Sequence, residues 1–378
     1  MPKIKVIELI PSLGAGGAEH FVLDLCRCLD PARFEVLLVS FFGKERSAPM
    51  YLDLIRRQPV RCLFLNKKDG LDPSVLIKLN RLFKAERPDV VHSNLYTAVY
   101  AMPVANHRGV RCCVHTVHTL AEKEMPPAYQ KILARYYRRG RLIPAAISGE
   151  VRESIARRYG LPEAQIPQID NGVDLSRFHP ASPFPADKTL ADKALAGKAL
   201  SGPRFLCAGS LYPHKNHRLA LQAFRLVRDK IPQATLAVAG DGPLRAELEQ
   251  AARELGLGAA VSFLGTVERI EEVMRGCDVF VLPSDYEGFG LVVAEAMACG
   301  LPAVATRSGG PENIIRDGLD GFLVPTGDAG RLAARMLDAC NPDRRPLLAA
   351  RAVERARGFD LARTVSAYEQ LFKAHLSP

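Results

Sequence analysis

The chain contains no tryptophan, and aromatic residues make up only 7% of it. No nucleic-acid motif with interleaved aromatics is visible, so a nucleic-acid partner ranks last. No run of about 18 apolar residues occurs, and no transmembrane helix is expected. The opening MPKIKVIELIPSL has too short an apolar segment for a signal peptide, which points to a cytoplasmic protein. The nine cysteines, an odd number, include no C-x-x-C pair; Cys26 with Cys28, and the adjacent Cys112 and Cys113, have neither zinc-site spacing nor a scaffold pattern. Reduced, mostly buried thiols and no structural metal are the expectation. A D-x-D motif and a His/Asp metal cluster are also lacking, so no metal cofactor is expected.

What is present is a soluble-type composition, 48% apolar and 24% charged, over 378 residues. That length is too great for one ordinary core and suggests two α/β domains. The net charge of +10 calls for an anionic substrate or an anionic membrane surface.

The stretch from Asp278 to Gly310 carries most of the chemistry. DVFVLP reads as a buried strand, SDYEGFG as a glycine-rich acidic turn, LVVAEAMAC as a helix and PAVAT as the next strand, with Gly300 and Pro302 as stop signals. The loop thus lies at the carboxyl end of a parallel strand, where open α/β sheets place ligands. Amides around Gly290 and Leu291, in the first turn of the helix, favour an anion, and Gly288 and Gly290 allow close approach. Glu287 and Glu295 flank that site. Carboxylates repel a phosphate, so these two more plausibly accept hydrogen bonds from hydroxyls. A phosphate group between polyhydroxy groups, as in a nucleotide-diphosphate sugar, fits the pattern.

Earlier in the chain, Gly14, Gly16 and Gly17 form a strand-to-helix turn. A dinucleotide fingerprint fails there because Glu19 stands in the third glycine position. Tight-turn glycines without a ligand are the alternative reading. His115 and His118 sit around a strand end. The segment AYQKILARYYRRG places Tyr129, Ile132, Leu133, Tyr136 and Tyr137 at helical spacing among Lys131, Arg135, Arg138 and Arg139, with Gly140 as its stop. From Tyr129 to Arg141 this is either a sheet-packed helix with a basic face or a contact for anionic membrane. DKTLADKALAGKALS repeats a five-residue unit that holds no single apolar face and reads as a linker.

These motifs carry a resemblance. EGFGLVVAE resembles the E-x7-E signature of the GT4-type retaining glycosyltransferases, and IDNGVDLSRFHP, GSLYPHKN, the GGAE loop and the TVH segment are similar to further motifs of that family, in its order along most of the chain. The resemblance implies an α/β GT-B fold: two Rossmann-like parallel-sheet domains facing each other across a cleft, with a C-terminal helix crossing back to the first. The domains would be 1–175 for the acceptor, a linker at 176–202, 203–357 for the donor, and the helix at 358–378.

By the same resemblance His118 and Glu287 are catalytic. Gly16, Gly17, Ser210, Lys215, Gly290 and Leu291 bind the donor diphosphate; Glu287, Gly288 and Phe289 bind the sugar; Glu295 binds the ribose. Ser210 departs from the family, which often has arginine there. The implied reaction moves a sugar, with retention and without metal, from a UDP-sugar or a GDP-sugar to a saccharide or lipid-linked acceptor in envelope glycan synthesis. An epimerase of the same architecture, or a non-catalytic nucleotide-sugar-binding subunit, is the alternative.

Overall fold

The computed structural model describes residues 2–14, 16–57, 60–180 and 202–376. The repeat 187–201, and with it most of the expected linker, lies outside the described residues. The chain divides into two compact units, one running to Gly172 and resuming at Leu361, the other spanning Val173–Asp360.

The first unit holds β1 (Ile4–Ile10), α1 (Gly17–Cys28), β2 (Phe34–Ser40), α2 (Pro49–Arg57), β3 (Arg61–Phe64), α3 (Ser74–Glu86) and β4 (Val90–Asn94). It continues with α4 (Ala98–Arg108), β5 (Cys112–Val117), α5 (Pro127–Arg138), β6 (Ile143–Ala146) and α6 (Gly149–Tyr159). Its sheet is parallel in the order β3-β2-β1-β4-β5-β6. This is the doubly wound dinucleotide-type order, whose switch point lies between β1 and β4. The near-continuous apolar run of β1 follows from burial on both faces of a parallel sheet.

The second unit holds β7 (Arg204–Ala208), α7 (His217–Lys230), β8 (Thr235–Ala239), α8 (Arg245–Glu254), β9 (Val261–Gly265), α9 (Ile270–Arg275) and β10 (Val279–Leu282). Then come α10 (Leu291–Ala298), β11 (Ala303–Thr306), α11 (Gly310–Ile314), β12 (Gly321–Val324), α12 (Ala329–Cys340) and α13 (Arg345–Ala356). The order β12-β11-β10-β7-β8-β9, again all parallel, repeats the first sheet's topology with its switch point between β7 and β10.

The last helix, α14 (Leu361–Ala374), returns to the first unit. Tyr368 and Phe372 are fully buried in that unit's core, Phe372 meeting Phe34 at 6.4 Å, and Glu369 pairs with Arg33. The Asn-Gly pair of the NGVD segment explains itself here, though not as a left-handed turn. A Cβ on Gly172 would lie 2.4 Å from the Leu361 Cα, so only glycine lets α14 start so close.

In α5 the residues turned inward are Gln130, Leu133 and Tyr137. Ile132 and Tyr136 are only partly buried, and Gly140 follows the helix with φ +62°. All nine cysteines are free thiols.

Candidate functional site

In the second unit the loops after β7 and β10 meet at the switch point. The loop after β7 contains a 3-10 turn, Pro213–Lys215, and then Asn216 in the left-handed region, whose side chain caps α7 by accepting from the Leu219 N–H at 3.3 Å. The loop after β10 is stapled to it. The Asp285 N–H donates to the His214 carbonyl at 2.8 Å, Asn216 Nδ2 donates to Asp285 Oδ1 at 2.8 Å, and the rings of His214 and Tyr286 stack at 4.9 Å. Beneath this staple His217 Nε2 faces the Ser210 carbonyl at 3.3 Å and its Nδ1 faces the Cys207 thiol at 3.2 Å. Burial holds the His217 pKa down to about 4, so the ring is a neutral strut.

The staple brings Lys215 to Glu287, with Nζ 2.6 Å from Oε1. Ser284 Oγ donates to the same oxygen at 2.6 Å. Both bonds fall on Oε1, so Oε2 retains capacity for a further donor such as a hydroxyl. The backbone of Glu287 is tied in turn: its N–H donates to Ser308 at 2.7 Å and its carbonyl accepts from the Gly310 N–H at 3.1 Å. Three residues on, Gly290 takes φ +84° as the residue preceding α10, a conformation that favours glycine and swings the chain from loop to helix. Leu291 opens that helix, presenting first-turn amides. Glu295 is buried on α10, and Gly288 is buried in the loop. The ring of Phe289 packs edge-on against Phe359 at 5.7 Å and is 2% exposed, so what it offers a ligand is backbone.

At the first unit's switch point the groups are mostly neutral. Glu8 on β1 is fully buried; Oε1 accepts from Asn94 Nδ2 at 2.6 Å and Oε2 lies 2.8 Å from His92 Nδ1. Asn94 Nδ2 also donates to the Leu9 carbonyl at 3.1 Å, which turns Oδ1 toward His118 Nε2 at 2.7 Å. Since Oδ1 can only accept, His118 carries its proton on Nε2 and presents Nδ1 as a lone pair. Burial, with His115 and His92 adding repulsion, lowers its pKa to about 3. On the other side His92 Nε2, Thr116 Oγ1 and Tyr368 OH continue the chain at 2.7 Å per step. Phe21 of α1 meets the His118 ring at 5.3 Å. His115, by contrast, is fully buried between Ser93 and Glu124, a satisfied structural residue.

The glycine turn before α1 is partly filled by its own neighbour. A Cβ on Gly16 would lie 2.5 Å from Glu19 Oε2, so that carboxyl lies over the turn, while Gly17 is exposed at the start of α1. Burial raises the Glu19 pKa to about 7. Sequence reasoning missed Glu8, Asn94, Ser284 and His217. Each lies inside or beside an apolar strand or helix run, and only the fold shows which partners it meets.

Two six-stranded parallel sheets, each with ligand-type groups gathered at its switch point, define a two-domain Rossmann-like protein of GT-B architecture. Residues 15–177 match the family described as Glycosyltransferase Family 4, and residues 191–358 match Glycosyl transferases group 1. The chain is 30% identical over 380 residues, 92% of its length and 89% of the other, to the D-inositol 3-phosphate glycosyltransferase of Xylanimonas cellulosilytica. It is 28% identical over 339 residues, 86% of its length and 84% of the other, to the Escherichia coli UDP-Gal:alpha-D-GlcNAc-diphosphoundecaprenol alpha-1,3-galactosyltransferase. Anabaena HepE, solved in complex with UDP and glucose, superposes with a TM-score of 0.84 at 22% identity, covering 98% of this chain and 100% of HepE. The chain belongs to the GT4-type, group 1 glycosyltransferase family. Among the described residues no helix is long and apolar enough to cross a membrane, and no group of three or more His, Cys, Asp and Glu is placed to hold a metal ion.

Proposed function

We propose that the enzyme transfers a hexosyl group from a UDP-sugar to a hydroxyl of a saccharide or lipid-linked acceptor in envelope glycan synthesis, with retention and without a metal. The observation that carries this reading is the meeting of Lys215, Glu287 and the start of α10 at one switch point. A cation and helix amides there suit a diphosphate, and a carboxylate held by Lys215 and Ser284 suits a sugar hydroxyl. The UDP and glucose bound by HepE, and the UDP-galactose used by the Escherichia coli relative, support the choice of donor.

In this reading Lys215, with the amides of Gly290 and Leu291, stabilises the departing diphosphate; Gly16, Gly17 and Ser210 add hydrogen-bond donors to it. Glu287 Oε2, with the backbone of Gly288 and Phe289, orients the sugar, and Glu295 accepts from the ribose. His118 binds the sugar as a neutral imidazole whose Nδ1 accepts a hydrogen bond from a sugar hydroxyl. The acceptor oxygen bonds to the anomeric carbon on the face from which the phosphate leaves, and a phosphate oxygen takes the acceptor's proton. The basic stretch Tyr129–Arg141 rests on an anionic membrane surface.

The test is release of UDP from UDP-hexoses with and without candidate acceptors. Release that requires an acceptor supports transfer. A UDP-sugar isomerised without release would instead make the protein an epimerase, and binding without any turnover would make it a non-catalytic subunit.

A further inference from the structure

A cavity of about 450 Å³ lies in the first unit, lined by Asn106, Ile132, Arg135, Tyr136, Arg139 and Arg141. Asn106 is near the end of α4, Arg139 follows α5, and Arg141 stands two residues before β6. The cavity is therefore at the amino-terminal edge of the sheet, whereas His118 and the glycine turn follow the carboxyl ends of β5 and β1. It is not part of the candidate site described above.

Three guanidiniums line this space, and the surrounding chain supplies little to neutralise them. Between Val90 and Gly149 the only acids are Glu122 and Glu124. Glu122 faces Arg157 at 3.8 Å, and Glu124 accepts from the His118 N–H and faces His115. Among the described residues no ion pair involves Arg135, Arg139 or Arg141. The carbonyl end of α5 attracts cations, which accounts for Arg135 and its neighbour Arg138, whose Nε bonds the Tyr159 carbonyl at 3.2 Å. It does not account for a third arginine on the following loop converging on the same cavity. Arg135 and Arg139 are also one turn apart, a like-charge spacing that opposes helix formation unless an anion lies between them. Ile132 and Tyr136, at the same spacing, give the cavity an apolar wall and a phenol.

We propose that this cavity binds a phosphate or diphosphate group, its guanidiniums gripping the oxygens in forked pairs and its Ile132–Tyr136 wall receiving whatever apolar chain the group carries. An anionic lipid headgroup and a soluble phosphate share this chemistry. The first source deepens the membrane part of the proposed function and rests on it; the second does not.

The test starts from Lys215→Ala, which weakens the donor site, and compares it with the same protein carrying R135A and R139A. Titration calorimetry with pyrophosphate should show at least a tenfold weaker affinity in the latter, with the thermal unfolding of both proteins checked in parallel. Equal affinity, or no binding by either, overturns the site. Vesicles of phosphatidylglycerol and of phosphatidylcholine then separate the sources. Capture by phosphatidylglycerol alone, lost with R135A and R139A, supports the site with a lipid headgroup as ligand. Pyrophosphate binding without vesicle capture supports the site with a soluble anion and removes the membrane from the proposed function. Vesicle capture that survives both substitutions overturns the cavity as the lipid contact.

Discussion

The two units share one strand order and furnish its switch point in opposite ways. In the second unit the loops after β7 and β10 present full charges, Lys215 against Glu287, beside a helix start. In the first, Glu8 is buried against Asn94 and His92, the Glu19 carboxyl lies over the glycine turn with its pKa raised to about 7, and the half-buried His118 is neutral. One topology therefore carries two kinds of switch point, one built on an ion pair beside a helix start and one on a buried hydrogen-bonded chain ending at a neutral imidazole. The fold dictates where ligand groups gather, and the side chains dictate which ligand they suit.

The strongest challenge to that contrast is Lys215→Ala. Removing the one side-chain cation from the charged site should weaken UDP about 100-fold, equivalent to about 2.7 kcal/mol, in calorimetric titration. Glu287 would then be left buried beside Ser284 alone, at a stability loss of about 1–3 kcal/mol. Undiminished UDP binding would mean that charge is not what this switch point offers. Next in size is Asn94→Ala, which releases the His118 ring and takes one donor from Glu8. Transfer should slow about 10–100-fold, the usual scale for losing an orienting partner, while UDP affinity stays unchanged. His118 should also add no inflection to the rate near pH 6.5, because the folded ring holds its neutral form down to about pH 3, so any inflection near neutrality should vanish in Glu19→Gln. That depressed value also has a stability consequence: the unfolded ring binds its proton first, so stability is full above about pH 6.5 and declines toward pH 3. An inflection near pH 6.5 that persists in Glu19→Gln would show that His118 titrates in the ordinary histidine range.

The smallest effect should come from Glu19→Gln. The folded carboxyl titrates near 7, against 4.5 for the unconstrained group. Its ionisation therefore opposes folding increasingly as pH rises from 4.5 to 7, and by a constant amount above that. The variant should melt higher than the wild type at pH 8 and together with it at pH 4.5. A higher melting point at both values would assign the effect to packing rather than charge.

Much of the charged site was legible in the sequence because its parts are local. Strand, glycine turn and helix follow one another within Asp278–Gly310, and turn chemistry and apolar period identify such units without tertiary information. Of the first unit's site, only His118 and the glycine turn were legible. Glu8 reads as one of three charged residues in KIKVIELI, and nothing in the sequence shows that Asn94, 86 residues later, meets it. The tautomer of His118 depends on that pairing. The basic helix was half legible: its period was clear, but which apolar residues turn inward depends on neighbours. Leu133 and Tyr137 pack inside, while Ile132 and Tyr136 line a cavity with arginines.

The position of α14 has a consequence for synthesis. Tyr368, whose hydroxyl meets Thr116, and Phe372, which fills the space beside Phe34, are translated only after the whole of Val173–Asp360. Until they emerge, the part of the first unit before Val173 cannot seal its own interior, although the intervening Val173–Asp360 segment has already been translated. The unit begun before the other is thus finished after it, and a stop codon shortly before Leu361 would damage the unit whose sheet had already been translated.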